Sequence, residues 1–185
     1  MMIMAVETMP KLVTARELLE MGDIGPCELV KGVIVRMSPA GAEHGRIAAL
    51  VLSELHRYVQ TQNLGMVFSA ETGFKIAHDP DTVRAPDVAF VSNERLKDGI
   101  PTGYFEGPPD LAVEIISPFD RWCDVVAKVR EWLNAGCSLV WVLDPQDKTA
   151  WVHRSLKEVE VLSKDEVLDG EDIVPGFKLP LAKIF

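Results

Sequence analysis

Two carboxylates and a lysine are the residues of this chain best placed to act together. Asp87 lies in Ala85-Pro86-Asp87-Val88-Ala89-Phe90-Val91, and Glu114 in Asp110-Leu111-Ala112-Val113-Glu114-Ile115-Ile116-Ser117-Pro118. Each interrupts a run that reads as a buried strand, and Lys128 falls on the helix expected after the second run. Two anions among apolar neighbours are costly unless a cation offsets them, and a divalent metal does so for both at once.

Side chains alternate along a strand, so Ala112, Glu114 and Ile116 share one face while Leu111, Val113 and Ile115 share the other. If the strand Pro86 to Val91 lies beside this one, Asp87 and Glu114 converge on one ion. The main-chain carbonyl of Ile115 and water would complete an oxygen shell of the kind that suits magnesium or manganese rather than zinc. A helix packed back over the Glu114 strand would carry Lys128, on the edge of its apolar face, to the same carboxylates. The chemistry of such a set is metal-assisted attack of water on a phosphodiester, with the lysine orienting the water or countering phosphate charge.

Ordinary structural roles compete with each assignment. Asp87 after Pro86 could shape a strand entry, and Glu114 could pair across a sheet edge with Lys75 or Arg84. Lys128 could be a solvated boundary residue. Glu28 opens a hairpin and is a further acid for the same cleft, although pairing with Lys31 or Arg36 is the commoner outcome. His44, one turn ahead of Ile47, reads as a capping or core residue rather than a metal ligand. His56, His78 and His153 show no ligand spacing.

The elements that would position these residues follow from local pattern. Thr14 to Met21 reads as a short helix with a capping box formed by Thr14 and Glu17. Glu28 to Val30 and Val33 to Met37 flank Lys31-Gly32 as a hairpin. From Glu43 to about Gln62, Ile47, Val51, Leu55, Tyr58 and Val59 recur at helical spacing, ending at Asn63-Leu64-Gly65. Met66 to Ala70, Gly73 to Ala77 and Pro86 to Val91 read as a three-stranded meander whose last two strands are joined by the acidic loop His78-Asp79-Pro80-Asp81. A Gly- and Pro-rich loop, Asp98 to Pro109, leads to the strand Leu111 to Ile116. Trp122, Val125, Val126, Val129, Trp132 and Leu133 then form one helical face, stopped by Ala135-Gly136, before the strand Leu139 to Leu143. Strand, helix and strand make a βαβ unit with parallel strands and a right-handed crossover. Thr149 to His153 and Val159 to Leu162 form an antiparallel hairpin, with Pro145 to Lys148 read as its turn.

The chain has 185 residues, 48% of them hydrophobic, which suits a single α/β domain spanning residues 1–185. No apolar run approaches the length of a membrane span, and the start, Met1 to Glu7, lacks the basic flank and length of a signal peptide, so a soluble cytoplasmic protein is expected. Cys27, Cys123 and Cys137 offer neither disulfide framework nor zinc spacing and read as small core residues. The formal charge of −9 argues against non-specific wrapping of a polyanion. Much of that acid is local, in Asp165, Glu166, Asp169, Glu171 and Asp172, so a cleft elsewhere can still be basic.

Taken together, the sequence resembles the Uma-type "putative restriction endonuclease" family, a branch of the PD-(D/E)XK nuclease superfamily. The likeness is carried by Glu28-Leu29-Val30-Lys31-Gly32, Ser38-Pro39 with His44, Ala85-Pro86-Asp87-Val88, Asp110 to Pro118, Lys128 with Ala135-Gly136, Val140 to Pro145, and Pro175-Gly176-Phe177. It implies a restriction-endonuclease-like core, a mixed central sheet flanked by helices with an additional N-terminal β-hairpin, and Asp87 and Glu114 as metal-binding acids. The superfamily's lysine usually falls two residues after the second acid, where this chain has Ile116. The resemblance therefore selects Lys128 on the following helix, with Arg121 and Lys75 as alternatives.

The resulting expectation is a magnesium- or manganese-dependent nuclease acting on DNA, with no membrane partner. A homodimer is compatible, because two sites about a two-fold axis address both strands of a duplex. Two other readings stand beside it: a degenerate nuclease fold serving as a scaffold for nucleic acid or protein, and a magnesium-dependent hydrolase of a small phosphate ester.

Overall fold

A computed structural model describes residues 11–185, so the opening Met1 to Glu7 segment lies outside the described residues. In chain order the elements are α1 (Ala15–Glu20), β1 (Cys27–Val30), β2 (Val33–Arg36), α2 (Ala42–Gln62), β3 (Gly65–Ser69), β4 (Phe74–Ala77), β5 (Thr82–Arg84), β6 (Val88–Ser92), β7 (Phe105–Glu106) and β8 (Leu111–Ile115). There follow α3 (Trp122–Asn134), β9 (Leu139–Asp144), β10 (Thr149–His153), β11 (Val159–Ser163), β12 (Val167–Asp169), β13 (Lys178–Pro180) and a 3-10 turn at Leu181–Lys183.

Local chemistry sets several of these boundaries. At α1, the Thr14 hydroxyl accepts from the Glu17 N–H at 3.1 Å while the Glu17 carboxylate accepts from the Thr14 N–H at 2.8 Å, closing the capping box. Lys31 and Gly32 both take positive φ, 49° and 76°, as a two-residue hairpin turn of this hand requires. Asn63 ends α2 in the left-handed region.

A six-stranded sheet in the order β11-β10-β9-β8-β6-β3 forms the centre, and only β8 and β9 within it run parallel. The parallel pair bracketing α3 is the expected βαβ unit. α2 lies on one face, burying Ile47, Val51, Leu55 and Val59 against Val88, Phe90, Leu111, Val113 and Ile115. α3 lies on the other, burying Val125, Val129 and Trp132 against Ala89, Ala112, Val140 and Val142. The period-two alternation of β8 thus supplies both cores, leaving Glu114 on the α3 side.

A second sheet, in the order β2-β1-β5-β4-β7, meets that same side. Phe74 of β4 stacks on Phe105 of β7 with centroids 5.1 Å apart and meets Trp132 of α3 edge-on at 6.2 Å. α1 covers it elsewhere, Ala15 and Leu18 packing on Leu29 and Val83. The seam between the two sheets, closed by α3, is where the polar residues of β1, β5, β8 and α3 come together.

Several expectations are corrected. β3, β4 and β6 do not form a meander: β3 pairs with β6 in the central sheet, whereas β4 pairs with β5 and β7 in the other. The segment between β4 and β6 holds a strand of its own, β5, and the Asp98 to Pro109 loop holds β7. The expected N-terminal hairpin is present, and Leu29 of β1, in register with Val83 of β5, joins it to the second sheet. Pro145 to Lys148 connects β9 to β10, while Arg154 to Glu158 connects β10 to β11. Of the cysteines only Cys137 is buried; Cys123 is exposed and Cys27 lies between. Burial pushes the Cys137 thiol up to about 12, which leaves it a thiol rather than a nucleophile at neutral pH.

Leu55→Ala should test the α2 contact: removing a fully buried leucine side chain costs about 2–5 kcal/mol, read from urea denaturation followed by circular dichroism.

Candidate active site

Glu114 is the fourth residue of β8 and is buried, yet both of its oxygens are occupied. Oε1 accepts from the Trp132 indole N–H at 2.8 Å, and Oε2 lies 3.1 Å from Lys128 Nζ. Lys128 and Trp132 sit four residues apart on α3, so one helical face delivers both. Lys128 Nζ also lies 3.3 Å from Oε1 of Glu28 on β1. One ammonium therefore bridges carboxylates belonging to the two sheets.

The electrostatics follow from burial opposed by pairing. Burial pushes Glu114 above the usual carboxylate range, while Lys128 pulls it back. Burial would lower Lys128, but Glu114 and Glu28 outweigh it and hold the ammonium well above its ordinary value. Lys128 is therefore a fixed positive charge at neutral pH, able to stabilise an anion and unable to accept a proton.

Asp87 stands one residue ahead of β6, its N–H donating to the Val113 carbonyl at 3.0 Å, so it extends the ladder to the position beside Glu114. Its Oδ2 accepts from the Ile115 N–H at 2.7 Å and lies 3.2 Å from His44 Nε2, at the start of α2. Among the described residues Asp87 Oδ1 accepts no hydrogen bond, and the side chain is 19% exposed. The hydrogen bond to Asp87 raises the His44 imidazole above its ordinary value against the pull of burial, with Asp120 and the Ile115 main chain adding to the effect.

The structure brings Asp87, Glu114, Lys128, Glu28 and His44 to one region and leaves the other candidates out. Lys75 pairs with Asp81 at 3.3 Å, and Arg121 is exposed with Asp124 at 3.9 Å. Neither takes the lysine's place. One structural reading is also overturned, since Glu28 pairs with neither Lys31 nor Arg36 but with Lys128 and Arg84; His44, near the start of α2, faces the Asp87 carboxylate.

Three participants were missed in the sequence. Arg84, at the end of β5, places Nη1 2.6 Å from Glu28 Oε2, and its Nε and Nη2 lie 2.7 Å and 2.6 Å from Glu131 Oε2. Glu131 follows Lys128 by three residues on α3 and Trp132 by four, a spacing that marks one helical face and would have found both. Arg84 carried a weaker signal, its closeness to Asp87.

The family model described as "Putative restriction endonuclease", Uma2, matches residues 15–182. The chain belongs to the Uma2 family. A solved structure described as a "putative nuclease belonging to DUF820" from Anabaena variabilis ATCC 29413 has the same fold, with a TM-score of 0.81 at 23% identity over 94% of this chain and 97% of the other. No protein with a curated description matches. No helix among the described residues is long and apolar enough to cross a membrane.

In this Uma2 chain, Lys128→Met removes the cation between two buried carboxylates and should cost about 3–5 kcal/mol near pH 7. With Glu114 raised, ionisation is penalised in the folded state only, so the deficit grows as pH rises past the unfolded carboxylate value and shrinks in acid. Urea midpoints of wild type and variant across pH 4–8, a window set at about the carboxylate range, check it. His44 should titrate above 6.5 by NMR and fall back in Asp87→Asn. Because its folded value is raised, the stability it contributes is present below the unfolded value and is lost as pH rises through the folded one.

Proposed function

We propose that this chain is a divalent-metal-dependent nuclease that hydrolyses phosphodiester bonds in DNA, with Asp87 and Glu114 holding magnesium or manganese and Lys128 stabilising charge on the phosphate. The observation that carries the reading is the convergence of Glu114, Lys128 and Asp87 at the ends of β8 and β6, in a chain of the Uma2 family.

The donor set fits such an ion. Four carboxylates, Glu28, Asp87, Glu114 and Glu131, meet two permanent cations, Arg84 and Lys128, a deficit of two charges that one divalent ion cancels. Among the described residues no three His, Cys, Asp or Glu side chains stand together as a metal cage. An ion here would therefore draw on the carboxylates of Asp87 and Glu114, the Ile115 carbonyl and water, a mostly hydrated shell of hard oxygens that magnesium favours. When bound, it would polarise the phosphate and make water a stronger acid.

The chain's own residues supply the rest. Asp87 offers Oδ1 while Oδ2 stays fixed by the Ile115 N–H and His44. Trp132 holds Glu114 Oε1, which orients the carboxylate and leaves Oε2 to Lys128. The charged Lys128 can turn from Glu114 toward a phosphate oxygen once another cation satisfies that carboxylate. Its place beside Glu114 supports catalysis over the scaffold reading. The family supports a nucleic acid over a small phosphate ester.

Plasmid, single-stranded DNA and RNA incubated with and without magnesium or manganese provide the test. The expected result is metal-dependent cutting of DNA, abolished in Glu114→Ala. Asp87→Ala should weaken manganese binding in calorimetric titration. Lys128→Ala should lower turnover by about 10²–10³-fold, the scale for losing one donor to a developing anion, with manganese affinity nearly intact. DNA binding without cutting would favour the scaffold, and phosphatase activity alone the small-ester hydrolase.

A further inference from the structure

Lys128 is almost equidistant from two carboxylates, 3.1 Å from Glu114 and 3.3 Å from Glu28. Such sharing needs a cause. Glu28 is the more deeply buried acid and sits on another sheet, so with no second cation it would draw the ammonium toward itself and leave Glu114 unpaired. Its other oxygen, Oε2, is taken by Arg84 Nη1 at 2.6 Å, and the Ala85 N–H donates to Oε1 at 3.2 Å. Arg84 thus answers the Glu28 oxygen that Lys128 does not reach, and the Ala85 N–H supports the one it does.

Arg84 is itself held in place. Its side chain is 11% exposed, and Nε and Nη2 both reach Glu131 Oε2 on the helix that carries Lys128. Burial lowers its affinity for a proton, but Glu28 and Glu131 outweigh that and keep the guanidinium charged. The fork geometry lets one side chain address two carboxylates in different directions, which an ammonium on a flexible stem does less well. Only Ala85 and Pro86 separate Arg84 from Asp87, so the same short segment fixes the second acid.

We propose that Arg84 is a positioning residue: by bridging Glu28 to Glu131 it neutralises Glu28 and keeps Lys128 shared with Glu114 for the hydrolysis proposed above, on which its catalytic meaning rests. It touches neither substrate nor metal in this role and acts through Glu28 and Lys128. Removing it should pull Lys128 toward Glu28 and lengthen its contact with Glu114, shifting the carboxylate that Trp132 holds.

The Trp132 indole N–H reports on Glu114 directly, because it donates to Oε1. Its NMR cross-peak, assigned by Trp132→Phe, can be followed in Arg84→Lys, which keeps the charge and loses the fork, and in Arg84→Met. Glu131→Gln is the second variant should Arg84→Met fail to fold, since it loosens the guanidinium from a partly exposed position. Circular dichroism and urea denaturation establish that each is folded.

The expected result is a displaced Trp132 indole signal in Arg84→Lys and Glu131→Gln, with the Trp122 and Trp151 signals unmoved. The kcat for metal-dependent cutting should fall by about 10²-fold, the scale of a catalytic group displaced by about 1 Å, with KM nearly unchanged. If the wild type cuts DNA and the folded variants leave the indole signal at its wild-type position, Arg84 serves the fold alone. If the signal moves and kcat does not, Arg84 steers Lys128 without serving hydrolysis. Either result overturns the proposal while the nuclease reading stands. If the wild type cuts nothing but the indole signal moves, the nuclease reading falls and the control of Lys128 by Arg84 is upheld.

Discussion

An ammonium buried between two carboxylates from different sheets is the interaction on which the rest of this molecule depends. Burial of Lys128 in the seam is offset by Glu114 and Glu28, and Lys128 in turn opposes the burial that pushes Glu114 up. Replacing such a cluster with apolar side chains of similar size is often neutral or stabilising, so the network is not explained by stability alone. Its place at the join of β1, β5, β8 and α3 is what the nuclease proposal draws on.

The scaffold has been arranged so that this cluster is rigid. Trp132 is fully buried, packs edge-on against Phe74 and offers its single polar atom to Glu114, so an apolar anchor of α3 also orients the acid. Glu131, beside it, grips Arg84. Three successive contacts of one helical face, made by Lys128, Glu131 and Trp132, therefore tie the helix to both sheets by charge as well as by packing. Opposite them, α2 brings His44 to Asp87 at the end of the neighbouring strand, so both helices frame the carboxylates.

Charge explains how an acidic protein can hold a site of this kind. The overall balance of −9 weakens any general attraction for a polyanion. Within the seam, however, two permanent cations are fixed among the acids, and a divalent ion would bring that cluster to neutrality.

What the sequence determined by itself depends on neighbours along the chain. The capping box at Thr14, the hairpin turn at Lys31-Gly32, the apolar stripe of α2, the alternation that puts Glu114 on the α3 side of β8, and the parallel βαβ unit all follow from short-range pattern. Asp87, Glu114 and Lys128 stood out as candidates because a charge inside an apolar run is conspicuous, and the family resemblance carried the choice of lysine. Tertiary structure alone decided which strands share a sheet: β4 and β6 both read as short strands, and only the pairing of β4 with β5 and β7 assigns it to the second sheet. It also decided the pairing of Glu28, Arg84 and Glu131, more than a hundred residues apart from end to end, because an ion pair is specified by distance in space and leaves no period in the chain.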